Sequence, residues 1–132
     1  MGPRPLALLL LTGCSLTPIP DVTSQYSEPC ETSVRLCEVR FELAVGSESS
    51  VELRGDFRPN GWEQGQTMEK QGAVWTTGVQ LQWGSDVQYK FFVDGTTWLL
   101  DPANPKTGTL GGNNTNSLLE DVTCAKWTCA TR

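Results

Sequence analysis

The chain predicts an all-β sandwich of about seven antiparallel strands, and three observations carry that prediction. Short runs of β-branched and aromatic residues alternate in polarity, as half-buried strands do, and no helical period of useful length interrupts them. Gly 13 and Pro 8, with few long apolar runs beyond the start, favour a turn-rich β fold. An Asp-Gly pair, Asp94-Gly95, sits between VQYKFFV and TTWLL, which is among the strongest short-range signals for a β-hairpin.

Taken in order, Glu38 to Val45 alternates strictly: Val39, Phe41, Leu43 and Val45 face one way and Glu38, Arg40 and Glu42 the other. Ser50 to Phe57 is a second strand with Val51 and Leu53 inward, followed by the Arg58-Pro59-Asn60-Gly61 loop and Trp62. Glu63 to Gly72 is polar with Met68 as its apolar anchor. Ala73 to Trp83 is a third strand in which Gly78 marks a bulge or a break. Residues 87–102 form the hairpin, and Asn116 to Thr123 closes the sandwich after a long Gly/Asn loop.

The hairpin organises the rest. A three-residue loop, Val93-Asp94-Gly95, pairs Phe92 with Thr96 and sets Trp98 directly opposite Lys90; Gly95, lacking a Cβ, supplies the left-handed residue that this loop needs. Val87, Tyr89, Phe91, Thr97 and Leu99 then share the core face, and Gln88, Lys90, Phe92, Trp98 and Leu100 the open one. A flat indole beside an ammonium on an open sheet face suits a polyhydroxylated ligand.

Composition narrows the function. There is no histidine, which removes the commonest general base and transition-metal ligand, and no Ser or Cys has a His to activate it. The Asp-Gly turn accounts for Asp94 and the Asp-Pro strand end for Asp101, so no carboxylate pair is left to work as acid and base. The reading is a non-enzyme without metal or other cofactor. Net charge is −5 and no basic run exists, which argues against a nucleic-acid partner.

The first thirteen residues, MGPRPLALLLLTG, carry one Arg and a short apolar stretch, too short to span a bilayer as a helix. Leu11-Thr12-Gly13-Cys14 resembles the lipobox of bacterial lipoproteins. The resemblance implies a signal peptide over 1–13, cleavage before Cys14 and acylation of that cysteine, hence a membrane anchor. Ser15 after it favours the outer membrane of the envelope. Residues 14–37, with Pro18, Pro20 and Pro29, read as a tether carrying a disulfide loop; 38–123 is the sandwich and 124–132 a C-terminal disulfide loop and tail.

Five cysteines leave four to pair once Cys14 is lipidated: Cys30, Cys37, Cys124 and Cys129. Four cysteines allow three connectivities. Alternating strands would put Cys37 and Cys124 at opposite ends of the sandwich, which favours the local pairs Cys30–Cys37 and Cys124–Cys129.

The stretches VELRGDFRPNGW (51–62), YKFFVDGTTWLLDPANP (89–105) and GGNNTNSLLEDV (111–122) together resemble the glycogen-binding modules of carbohydrate-binding module family 48. These modules occur in AMP-activated kinase beta subunits, and related early-set domains precede branching and debranching enzymes. The resemblance implies an immunoglobulin-like early-set sandwich that binds α-1,4-linked glucans on one face. Carried over residue by residue, it implies sugar contacts at Trp62, Lys90, Trp98, Leu110, Asn114 and Asn116, the last three in a loop longer than that of the kinase form.

Pyranose C–H patches lie flat on aromatic faces, and sugar hydroxyls need the donors and acceptors of Lys and Asn. Five contacts of about 1 kcal/mol net each correspond to roughly sub-millimolar affinity. Trp75, Trp83 and Trp127 read as structural. The expected function is thus a non-catalytic, envelope-anchored α-glucan-binding module. The rival is a structural or protein-interaction lipoprotein of the same fold that docks an envelope partner through the same aromatic face.

Overall fold

The computed structural model describes Cys30 and residues 33–131, with Gly2 alone before them. The signal peptide, the lipidated Cys14 and most of the tether lie outside the described residues.

Among the described residues every regular element is a strand. The long ones are β1 (Ser33–Ala44), β2 (Val51–Gly55), β5 (Val74–Gln82), β6 (Val87–Val93) and β9 (Thr115–Leu119). Shorter ones extend the sheets: β3 (Gln66–Thr67), β4 (Glu69–Gln71), β7 (Thr97–Leu99), β8 (Thr107–Thr109) and β10 (Thr128–Thr131). Two antiparallel sheets result, in the order β10-β1-β5-β4 and β3-β2-β6-β9-β8, with β7 paired to β6 beside the second path. The fold is an immunoglobulin-like β-sandwich, with ten strands rather than about seven because the polar connections form short edge pairs.

Alternation sets the core as the sequence requires. Phe41 and Leu43 from β1, Val51 and Leu53 from β2, Trp75, Val79 and Leu81 from β5, and Val87, Tyr89 and Phe91 from β6 are buried together. Phe41 meets Tyr89 edge to face at 4.8 Å. Met68 is buried and anchors the polar β2–β5 connection, its N–H donating to the Val51 carbonyl.

β5 crosses Gly78 without a bulge or break, in unbroken register with Arg40 opposite. A Cβ there would meet only the far end of the exposed Glu38 side chain, so nothing in the structure requires glycine at this position.

The disulfides are Cys30–Cys129 and Cys37–Cys124, so the local pairing expected from sequence is corrected. Two features of the topology cause this. β1 begins at Ser33, before Cys37, and the supposed tail forms β10, which pairs with β1 so that Arg35 faces Cys129. Cys37 and Cys124 also lie at the same end of the sandwich. β1 starts where β5 ends, the β5–β6 turn lies there, and β9 returns antiparallel to β6 with Leu119 opposite Val87. Val122 then locks onto that turn by exchanging backbone hydrogen bonds with Gly84 and Ser85, which delivers Cys124 to the buried Cys37.

Trp83 and Trp127 pack edge to face at this same end, 5.6 Å apart, with the Arg35 guanidinium over both rings.

Candidate functional site

The hairpin loop has the expected three residues but lies one position later in the chain than expected. Asp94 and Gly95 both adopt positive φ (51° and 67°), and the Thr96 N–H donates to the Val93 carbonyl. Thr96 stays in the loop as an extra residue, so the three loop residues are Asp94, Gly95 and Thr96, and Val93 pairs with Thr97. Asp94 is further pinned by accepting the Ser49 and Ser50 N–H groups.

Trp98 consequently lies opposite Phe92, not opposite Lys90. A slip of two residues keeps every side chain on its face, so Lys90, Phe92 and Trp98 still share the outer face. The core face of β7 is corrected: Thr97 and Leu99 are exposed, because β7 pairs only with β6.

Five structural elements bring the other residues to that face. After β2 the chain makes a tight turn in which the Gly61 N–H donates to Arg58 and the Gly61 carbonyl accepts from Gly55. A Cβ on Gly61 would lie 2.1 Å from the Gly55 carbonyl oxygen, so only glycine permits this approach. The turn continues with the Glu63 and Gln64 N–H groups on the Asn60 carbonyl, which turns Trp62 toward the hairpin. Lys90 comes from β6 and Trp98 from β7, Leu110 and Asn114 from the β8–β9 loop, and Asn116 from β9.

Trp62, Lys90, Trp98, Leu110, Asn114 and Asn116 together line one cleft of about 340 Å³. All six residues named from the sequence meet there. Trp98 and Leu110 stand 46% and 54% exposed, so the apolar rim is open to solvent. Trp62 and Trp98 have ring centroids 6.3 Å apart, inclined at 52°. At that separation the rings touch, so they form a bent platform rather than a slot that admits a third ring.

Polar groups line the same cleft. The Lys90 ammonium donates to Asn114 Oδ1 at 3.3 Å. Asn116 is buried, and its Nδ2 donates to Gln88 Oε1 at 3.0 Å. Gly108, opposite Asn116 on β8, leaves room for the Gln88 side chain, whose amide would lie 3.2 Å from a Cβ there. Trp62 Nε1, a donor, and Asn116 Oδ1, an acceptor, are buried and have no hydrogen-bond partner among the described residues.

Behind the cleft, the loop after β7 is held by a buried phenol. Tyr89 donates to Asp101 Oδ2 at 2.7 Å and accepts from Asn104 Nδ2, while Ser117 Oγ accepts the Asp101 N–H. Burial, assisted by the adjacent carboxylate, pushes the Tyr89 phenol well above its ordinary value.

Residues 38–122 match the family described as the glycogen recognition site of AMP-activated protein kinase. The chain belongs to this family. Its sandwich is also similar to solved structures of the enterobactin esterase FES from Shigella flexneri. One, determined with 2,3-di-hydroxy-N-benzoyl-serine, is 18% identical with a TM-score of 0.52; the other, with 2,3-di-hydroxy-N-benzoyl-glycine, is 20% identical at 0.51. Each likeness covers 65% of this chain and 30% of the esterase chain, and shows the shared fold. No curated protein matches the chain. Membership of a glycogen-recognition family assigns this module to carbohydrate binding.

Sequence reasoning missed Arg54. It faces outward from β2, directly opposite Lys90, and lies against both aromatic residues of the hairpin face. The signal was available: Glu52 and Arg54 occupy the polar phase of a strand whose other phase is core.

Proposed function

We propose that this protein is a non-catalytic α-glucan-binding module, exported and held at the bacterial envelope by an acylated Cys14. The observation that supports glucan binding is the bent platform of Trp62 and Trp98 with Lys90, Asn114 and Asn116 beside it, in a chain of a glycogen-recognition family. Neighbouring sugars of a curved chain would stack on the two inclined indoles while their hydroxyls reach the exposed polar groups of Lys90 and Asn114. Leu110 would fill the curve of the glucan. Two disulfides, bridging 99 and 87 residues of sequence, support folding in an oxidising compartment. The lipobox-like segment before Cys14 supports the anchor.

The test is retention on insoluble starch and retardation in glycogen affinity gels, using the exported chain with Cys14→Ser beside the Trp62→Ala and Trp98→Ala variants. Retention by the parent and its loss in both folded variants is the expected result. Metabolic palmitate labelling that disappears with Cys14→Ser tests the anchor.

A second reading rests on the exposed apolar rim of the cleft, Trp98 and Leu110. On this reading the same face docks an envelope protein and no longer binds sugar; failure of the parent chain to bind any α-glucan would favour it.

A further inference from the structure

We infer that Arg54 is a positioning residue that fixes the two indoles of the cleft relative to each other. The inference builds on the glucan-binding reading of this cleft. The guanidinium of Arg54 contacts both walls. Its Cζ lies 4.0 Å from the Phe92 ring centroid and 5.5 Å from that of Trp98, so it supports the hairpin wall through two aromatic faces. Its Nη1 donates to the Trp62 carbonyl at 3.3 Å, which ties down the loop wall. Its remaining donors, Nε and Nη2, both go to Glu52 Oε2 at 3.0 and 2.8 Å.

Each part of this arrangement needs a fork-shaped cation. A planar guanidinium can stack on a ring and donate along its edge at the same time, whereas an ammonium is a point charge with no plane to stack. Glu52 is required because Arg54 stands directly opposite Lys90, and two unscreened cations at a cross-strand pair repel. Gly65 completes the device: a Cβ there would lie 2.9 Å from Arg54 Cγ and from the Glu52 carboxylate, so glycine leaves the space that this ion pair fills. The side chain of Arg54 is only 18% exposed, so its place is beneath the platform rather than on the ligand side.

The experiment separates this inference from the binding reading. In ligand-free, ¹⁵N-labelled protein, Arg54→Met keeps the aliphatic stem and removes the fork. The indole N–H resonances of Trp62 and Trp98 are expected to move while those of Trp75, Trp83 and Trp127 hold still. Arg54→Lys is expected to resemble Arg54→Met, and Glu52→Gln, which weakens the anchor, to produce a smaller displacement in the same direction.

In titrations with maltoheptaose, both Arg54 variants should lose affinity by about tenfold at unchanged melting cooperativity. Unmoved Trp62 and Trp98 resonances in Arg54→Met would overturn the inference, as would wild-type resonances and affinity in Arg54→Lys. If the parent chain shows no maltoheptaose binding, the glucan reading fails, and the ligand-free spectra still decide the role of Arg54.

Discussion

Lys90 on β6 stands directly opposite Arg54 on β2, two cations side by side on the outer face of one sheet. Arg54 is compensated by Glu52, while the Lys90 ammonium donates to a neutral amide, that of Asn114. Like charges at a cross-strand pair destabilise a sheet, so a lysine at this position works against the fold.

Lys90→Met should therefore separate stability from binding. The substitution keeps the stem and removes both the donors and the repulsion. Urea unfolding is expected to show unchanged or slightly higher stability, by up to about 0.5 kcal/mol. Affinity for maltoheptaose, measured by calorimetry, is expected to fall by about 10- to 100-fold, since a hydrogen bond from a charged donor contributes roughly 1.5–3 kcal/mol.

Tyr89→Phe removes the hydroxyl that joins Asp101 to Asn104, leaving both with an unmet partner in a half-buried setting. A loss of about 1–3 kcal/mol follows from stranded polar groups. Hydrogen exchange should speed up over residues 101–106 more than in β1 or β5. In the parent chain the raised phenol pKa means that stability from this group is fully present below the ordinary tyrosine value of 10.0. That stability is lost as pH rises through the higher folded value, so the alkaline limb of a stability–pH curve should flatten in Tyr89→Phe.

Glu48 accepts the Gly46 N–H and the Trp75 indole N–H. The Gly46 backbone bond, then its own N–H and the Trp75 indole hold its carboxyl below the ordinary value of 4.5. A depressed carboxylate contributes stability above its unfolded pKa and loses it as pH falls through the folded one. Chemical-denaturation midpoints of the parent should drop on acidification below pH 4.5, and Glu48→Gln should remove part of that dependence.

The two disulfides join the ends of the domain, and tryptic mapping without reduction should recover Cys30 linked to Cys129 and Cys37 linked to Cys124. Removing the buried pair with Cys37→Ala and Cys124→Ala should cost about 3–5 kcal/mol, as expected for a cross-link that closes most of a domain. Removing the outer pair with Cys30→Ser and Cys129→Ser should raise exchange in β10 while leaving glucan binding within twofold, because neither cysteine lies near the cleft.

Much of this molecule was legible in the chain because the signals are local. Alternation in 38–45, 50–57 and 87–93 names the core face directly, since side chains in a strand repeat every two residues. That period also protected the prediction for the cleft: Trp98 pairs with Phe92 instead of Lys90, yet a shift of two residues leaves it on the same face. The six cleft residues came from a family pattern and meet in the folded chain.

What the linear chain did not decide is which strand ends become neighbours. The cysteine partners depend on β10 adding to the edge of β1, and on β9 returning to the end where β1 begins, both outcomes of sheet order. Arg54 was hidden for the same reason. Its hydrogen bond to Trp62 and its stacking on Phe92 and Trp98 join a loop to a strand and a hairpin far along the chain. The residues alone determined a sandwich with an aromatic, hydroxyl-compatible face, because burial and turn chemistry act over a few positions. Only packing decided which distant side chains meet at that face, because contacts between distant segments exist only once the sheets have formed.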